Sequence, residues 1–374
     1  MMNRSTPPIL LIESAEASAN LLYASGFHAV DPVVLLDEGP RKTLVVPALE
    51  AGRAAQCRGI QVVTVGSLDL PADKRRSVTD WAWALLKRQG IRHVLVPAYF
   101  PVASAELLRK RRIRVEVAEG EIYPRRAVKT TREIRAIEEA QHATLTAMRK
   151  AIAEIRGASI GRDGVLRARG KVLTSESVRT LIQRTLLDHQ YIGKEIIVAG
   201  GRQAADPHER GSGPLRAKET IVLDIFPRSQ IHGYWGDATR TVLRGEASPV
   251  QRRMYRAVKQ AQQLALHSIR AGVKGADIHR AVADSLLNAG FPTTIKGTVA
   301  RGFFHGTGHG IGLDIHEAPS LSLADWTLEP GHVVTVEPGL YDPDHGGVRI
   351  EDVVVVTRNG CRVLGSCPKT FEMA

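Results

Sequence analysis

Four carboxylates in this chain stand where carboxylates are costly to place. Asp224 lies in Thr220-Ile-Val-Leu-Asp-Ile-Phe226, which otherwise reads as a fully buried strand. Asp237 follows a turn in Tyr234-Trp-Gly-Asp-Ala-Thr-Arg-Thr-Val242, Glu337 lies in His332-Val-Val-Thr-Val-Glu-Pro-Gly339, and Glu351 lies in Val348-Arg-Ile-Glu-Asp-Val-Val-Val-Val356. Each is embedded in, or ends, a β-branched apolar strand, where an unpaired charge is expensive. A basic neighbour such as Arg240 or Arg349 could neutralise one of them. Four on four strands are harder to absorb, because converging like charges repel by several kcal/mol per close pair at about 4 Å. Divalent cations reverse that sign and turn a repelling cluster into a binding site.

A glycine-rich segment adds imidazoles to the same half of the chain. Nine of the 13 histidines lie beyond residue 200, three of them in His305-Gly-Thr-Gly-His-Gly-Ile-Gly-Leu-Asp-Ile-His-Glu317. Four glycines at alternate positions cannot sustain a helix, since each costs about 1 kcal/mol relative to alanine. The segment is expected to be extended, with its backbone packed closely against a neighbour. Ile311 and Leu313 break the G-x-G-x-x-G spacing, so a dinucleotide loop is not expected. On an extended chain His305 and His309 share a face, while His316 falls on a later stretch.

Other function classes are narrowed by charge and composition. The formal charge is +12, yet 18 basic and 13 acidic side chains precede residue 127 and 33 and 26 follow, so the excess is spread out. The densest basic run, Arg109 to Arg112 with Arg114, ends an amphipathic helix and suits its dipole. No nucleic-acid partner is expected. No apolar run approaches the roughly 18–20 residues of a membrane span, and the opening residues do not read as a secretory signal. Cys57, Cys361 and Cys367 are odd in number and widely spaced, which fits neither a disulfide framework nor a zinc ribbon. A cytoplasmic location is the expectation.

Along the chain, residues 1–125 alternate strand-like runs (Ala29–Leu36, Thr43–Val46, Gln61–Val65, Arg92–Pro97) with helical stretches near Ala15–Ala24, Lys74–Gln89 and Ala103–Arg112. That pattern argues an α/β domain around a buried sheet, with no clustered catalytic side chains. A Pro-containing connector, Glu121 to Arg126, leads to residues 126–374. There, helices are expected over Thr131–Ile155 with Thr131 as N-cap, Ser175–His189 and Pro249–Ala271. From Glu195 onward, strand-like segments alternate with glycine-rich turns. The fold class is α+β.

The ordered set Asp224, Asp237-Ala-Thr-Arg-Thr, Gly308-His309-Gly310-Ile-Gly312, His316-Glu317, Glu337-Pro-Gly and Arg349-Ile-Glu351-Asp resembles the pita-bread metallopeptidases. That family includes aminopeptidase P, prolidase, methionine aminopeptidase and creatinase. The resemblance covers residues 126–374; over residues 1–122, Asn20-Leu-Leu-Tyr-Ala-Ser-Gly-Phe27 looks like the start of the creatinase/prolidase N-terminal domain. It implies a pita-bread catalytic domain preceded by a smaller α/β domain, and a dinuclear site. Asp224 would chelate one metal, Asp237 and Glu351 would bridge, and His309 and Glu337 would hold the other. Four carboxylates and one imidazole favour hard or borderline ions: Mn²⁺ is expected, with Co²⁺, Zn²⁺ or Fe²⁺ able to substitute. Glu337 would also shuttle the proton from water to the leaving amine.

The resemblance further assigns His208 and His316 to catalysis and substrate binding, His305 to the pocket, and Arg349 to orienting a carboxylate or the substrate's C-terminal side. Two departures stand out. The interval from Asp224 to Asp237 is a couple of residues longer than in familiar members. Ser320 to Asp325 offers no arginine of the kind prolidases use to grip a dipeptide carboxylate. The leading expectation is therefore an Xaa-Pro aminopeptidase acting on peptides with proline second, working as a homodimer. The alternatives are prolidase, methionine aminopeptidase, or a pita-bread binding module without catalysis. Creatinase is disfavoured, because that branch has lost the metal set.

Overall fold

The computed structural model describes residues 7–374, which divide into one unit ending at Pro124 and another beginning at Arg125. In the first, six strands form one mixed sheet in the order Ile60–Thr64, Lys42–Val46, Val33–Asp37, Ile9–Glu13, His93–Val96, Arg114–Val117. The three strands Ile9–Glu13, Val33–Asp37 and Lys42–Val46 run antiparallel, and the outer neighbours join them in parallel. Leu10, Val34, Val45 and Val94 pack with Trp81 and Leu85 of the helix Val78–Gln89 and Leu108 of Val102–Lys110. Local capping trims the expected helices. Ser77 caps the helix at Val78 rather than Lys74, and Ser18 caps Ala19–Ser25 rather than a start at Ala15. The strand expected from Ala29 begins only at Val33, after Pro32, whose ring removes a ladder donor.

The second unit carries two larger sheets, each with its own helix pair, and several small two- and three-stranded ones. The first sheet runs Ile197–Gly200, Ile221–Ile225, Ala238–Arg244, Glu372–Met373. The helices Thr131–Gly157 and Ser175–Asp188 contribute Ala140, Met148, Ile155, Val178, Ile182 and Leu186 to its core. Thr130, one residue before the expected cap, closes a capping box with Glu133 at the start of the long helix. The second sheet runs Glu317–Leu321, Gly308–Gly310, Val333–Val336, Asp352–Val356, Cys361–Val363. It packs on Pro249–Ser268 and Gly275–Asn288 through Met254, Val258, Ile278, Val282 and Leu286. The single helix expected to reach Ala271 stops at Ser268. Beyond it, Gly272, at φ +84°, turns the chain into a further helix, Gly275–Asn288, that was not expected from the sequence. Among the described residues no helix is long and apolar enough to cross a membrane.

The junction between the two sheets is polar and buried. Arg240, 2% exposed, donates to the carbonyls of Thr239, Glu351 and Cys367 and to the Asp352 carboxylate at 2.7 Å. Gln262 and Lys369 reach the other Asp352 oxygen at 3.1 and 2.6 Å. One arginine thus ties the strand Ala238–Arg244 of the first sheet to Asp352 of the second. Removing one partner of a buried pair costs about 3–5 kcal/mol, here by stripping Asp352 Oδ1 of its cation and three carbonyls of their donor while Lys369 stays on Oδ2. Arg240→Ala is therefore expected to lower the urea midpoint by that equivalent, whereas Arg280→Ala, which breaks an exposed i,i+3 pair with Asp277, is expected to shift it little. Comparable midpoints for the two variants would remove Arg240 from this role.

Candidate metal centre

The strand ends of the second unit deliver the four carboxylates to one place. Asp224 lies within Ile221–Ile225, and Asp237 immediately precedes Ala238–Arg244. Glu337 follows Val333–Val336, and Glu351 sits between Gly346–Arg349 and Asp352–Val356. Each is held by its backbone or by a carboxylate oxygen. Gln141, on the long helix, accepts from the Asp237 N–H at 2.7 Å and donates to its carbonyl at 2.8 Å. Thr239 donates its hydroxyl to Glu351 Oε2 at 2.8 Å, and the Glu351 N–H returns to the Thr239 carbonyl. Thr335 Oγ1 accepts from the His309 N–H at 3.0 Å and lies 3.3 Å from Glu337 Oε1.

The glycines explain how His309 reaches the cluster. A Cβ on Gly308 would lie 2.0 Å from the Thr335 carbonyl oxygen, so only glycine lets the strand Gly308–Gly310 press against Val333–Val336. His309 Nε2 then lies 3.7 Å from Asp237 Oδ2 and 3.4 Å from Glu337 Oε1. Its Nδ1 sits 3.1 Å from the Gly310 carbonyl, an acceptor that holds the proton on Nδ1 and leaves the Nε2 lone pair facing the carboxylates.

Burial together with the neighbouring carboxylates pushes Asp237 and Glu351 well above the usual carboxylate range, and burial raises Glu337. Burial pushes His305, His309 and His316 down, so their neutral forms prevail. Such a cluster is electrostatically incomplete by itself. Ligand atoms of Asp237, His309 and Glu351 all lie within 4.8 Å of one another. Asp224 is held on Oδ2 by Arg349 at 2.6 Å, while its buried Oδ1 has no hydrogen-bond partner. An orphaned buried carboxylate oxygen beside a mutually repelling O/N donor set is the chemistry a divalent cation fits.

These groups line a cavity of about 630 Å³. His208, His305, His316 and Arg349 line it as well, so every site residue singled out from the sequence reaches the same space. His316 stands edge-to-face on His309, ring centres 4.3 Å apart. His208 is exposed at the rim, its N–H donated to Asp206. His305 and Arg349 are more committed than the sequence suggests. Arg349 donates to the Tyr341 hydroxyl at 2.9 Å, and that hydroxyl lies 2.8 Å from His305 Nε2. His305 Nδ1 lies 2.8 Å from the Gly306 carbonyl, so protein groups occupy both ring nitrogens. The sequence reading missed Tyr341, Thr239, Thr335 and Gln141, together with the apolar wall of Ile197, Phe226, Phe304 and Ile315. Nothing in their local sequence separates them from ordinary core residues.

Comparison with known proteins supplies an independent line. The sequence pattern described as Metallopeptidase family M24 matches residues 135–358. A Bacillus subtilis protein described as an uncharacterized peptidase, YqhT, is 38% identical over 177 residues, which is 47% of this chain and 47% of its own length. The chain thus aligns with about half of that relative. A Pyrococcus horikoshii protein named Xaa-Pro dipeptidase is 28% identical over 349 residues, covering 92% of this chain and 90% of that one. The solved structure of an Xaa-Pro dipeptidase from Bacillus anthracis superposes with a TM-score of 0.82 at 27% identity, over 98% of this chain and 95% of that one.

The buried repulsion makes a stability prediction. In metal-free protein, Asp237→Asn replaces one of the crowded, buried carboxyl groups with an amide that cannot ionise and is expected to raise the thermal midpoint by about 2–4 °C, the equivalent of about 1 kcal/mol in a unit of this size. Added Mn²⁺ is expected to stabilise the wild type and to leave Asp237→Asn nearly unmoved. Differential scanning fluorimetry reads both, and an undiminished Mn²⁺ shift in the variant would take Asp237 out of the centre.

Proposed function

Because this chain belongs to metallopeptidase family M24, we propose that it hydrolyses the bond between an N-terminal residue and proline, with Xaa-Pro dipeptides as its first substrate class. The observation that carries this reading is whole-length likeness. Whole-length relatives in sequence and in structure include proteins named Xaa-Pro dipeptidase at 28% and 27% identity, while an X-Pro aminopeptidase structure that covers the chain as fully is 23% identical. It reverses the order expected from the sequence, where the absence of an arginine between Ser320 and Asp325 put the aminopeptidase first. That absence still favours a second reading, an Xaa-Pro aminopeptidase acting on longer peptides. Among the described residues, Arg349 is the only arginine or lysine lining the cavity, and it is already paired with Asp224. A dipeptide carboxylate would have to share it.

Asp224, Asp237, His309, Glu337 and Glu351 would hold two divalent ions, and Mn²⁺ is our choice for a set of four carboxylates and one imidazole. When bound, such ions supply Lewis-acid polarisation of a carbonyl and lower the pKa of water. The chain's own residues do the rest. Glu337 accepts a proton from the attacking water and returns it to the proline nitrogen, as the C–N bond breaks and the water oxygen joins the carbonyl carbon. His316, kept neutral by burial, donates an N–H to the scissile carbonyl oxygen. Arg349 orients Asp224, Tyr341 braces Arg349 and His305, and His208 meets the substrate at the rim. Phe226, Phe304 and Ile315 offer the apolar wall that a proline ring can cover, excluding water.

Two measurements test this. Under Mn²⁺, kcat/KM on Ala-Pro is expected to equal or exceed that on Ala-Pro-Ala, with Met-Ala-Ala uncleaved. A tenfold or greater preference for the tripeptide would establish the aminopeptidase reading instead. His316→Ala is expected to lower kcat by roughly 10²–10³, the usual loss for one carbonyl-stabilising donor, with Mn²⁺ content unchanged. Loss of the metal along with the rate would mean that His316 has been given the wrong task.

A further inference from the structure

A second charged cluster lies beside the metal centre and takes no part in the chemistry above. Glu317 follows His316 directly, and its carboxylate is met by two cations from one short segment. Lys129 Nζ lies 2.6 Å from Oε1, and Arg126 Nη2 lies 2.7 Å from Oε2. The same Arg126 nitrogen reaches Asp314 Oδ2 at 2.7 Å, and the Asp314 N–H donates to Glu317 Oε2 at 3.3 Å. The Lys129 side chain is 1% exposed, and those of Arg126 and Glu317 are 9% exposed. Taking three charges out of water costs several kcal/mol each before their attraction offsets it, so such a cluster is weak evidence for stability alone. Its best-attested use is to fix a register.

What it fixes here is the loop Ile311–His316, which contains no helix or strand of its own. The backbone after the loop is pinned where Glu317 pairs with Gly310, next to His309. Its side chain is pinned across the loop, close enough that a Cβ on Gly312 would meet the Glu317 carboxylate at 2.4 Å. Lys129 is itself anchored, because its N–H donates to the Gly331 carbonyl at 2.9 Å. Two residues on, the chain enters the helix Thr131–Gly157, whose Gln141 clamps Asp237. One continuous segment therefore holds both Asp237 and the loop that carries His316.

We infer that Arg126, Lys129 and Glu317 form a buried positioning device that sets the His316 ring against His309 for its contact with the substrate carbonyl, an inference that rests on the Xaa-Pro peptidase reading. None of the three touches the reacting atoms. A displacement of His316 by about 1 Å is enough to cost roughly 10²-fold in rate.

The test uses the full chain with Lys129→Met, which keeps the apolar stem and leaves Arg126 on Glu317, and with Lys129→Arg as the conservative partner. Leu186→Ala, a core truncation in the helix Ser175–Asp188, serves as a control for stability loss alone. In protein labelled with ¹⁵N-histidine and loaded with diamagnetic Zn²⁺, the His316 ring signal, assigned with His316→Gln, is expected to shift or split in Lys129→Met and to return in Lys129→Arg. With Mn²⁺, kcat on Ala-Pro is expected to fall roughly ten- to a hundredfold in Lys129→Met, with KM and Mn²⁺ affinity by calorimetry within about twofold of wild type. An unshifted His316 signal in Lys129→Met, or a rate loss no larger than that of Leu186→Ala, would overturn the proposal. A wild type that cleaves no Xaa-Pro peptide would fail the proposed function, while the ring signal would still decide whether Lys129 positions His316.

Discussion

Everything around the centre of the second unit answers one constraint: carboxylates that repel one another have been brought together out of water. Burial drives Asp237, Glu337 and Glu351 toward their neutral forms, and no ordinary core would keep them in company. The protein accepts that cost because the donor set gains its purpose from a cation. A metallopeptidase of this family is therefore built in tension when free of metal, with folding and metal binding linked through the same few oxygens.

The scaffold that bears this tension is polar as well as apolar. Arg349 neutralises one oxygen of Asp224 and leaves the other free. Arg240 does the equivalent work one layer back, gripping Asp352 and the Glu351 carbonyl. Gln141 and Thr239 take up backbone and side-chain groups that would otherwise go unpaired. Because each of these groups has several partners, moving one ligand would disturb several hydrogen bonds at once. That over-determination is what keeps a set of ligands within a few tenths of an ångström of a working geometry.

The same economy extends to the loop between His309 and His316. A glycine-rich strand lets His309 approach through close backbone contact, at positions where any side chain would collide. The residues that follow have no regular structure to hold them, so ion pairs from Arg126 and Lys129 to Glu317 take the place of a ladder. Two imidazoles in edge-to-face contact are thus held by different means, one by sterics and one by charge.

Much of this could be read from the residues alone. Charged side chains inside β-branched runs and glycines at alternate positions are local anomalies. Their physical cost is visible without coordinates, and they identified the ligand candidates with His305 and His316, whereas His208 came only from the family resemblance. Most helices were also legible, although capping by Ser18, Ser77 and Thr130 moved the boundaries and the helix Gly275–Asn288 was not expected. Tertiary structure alone decided which basic residue neutralises which carboxylate. It also recruited Tyr341, Thr239, Thr335 and Gln141, ordinary polar residues that become part of the site only because distant strands and a helix bring them there. Local sequence records the cost of placing a group. Its partner lies about a hundred residues away (Gln141 with Asp237, Asp224 with Arg349), and only the packed fold brings the two together.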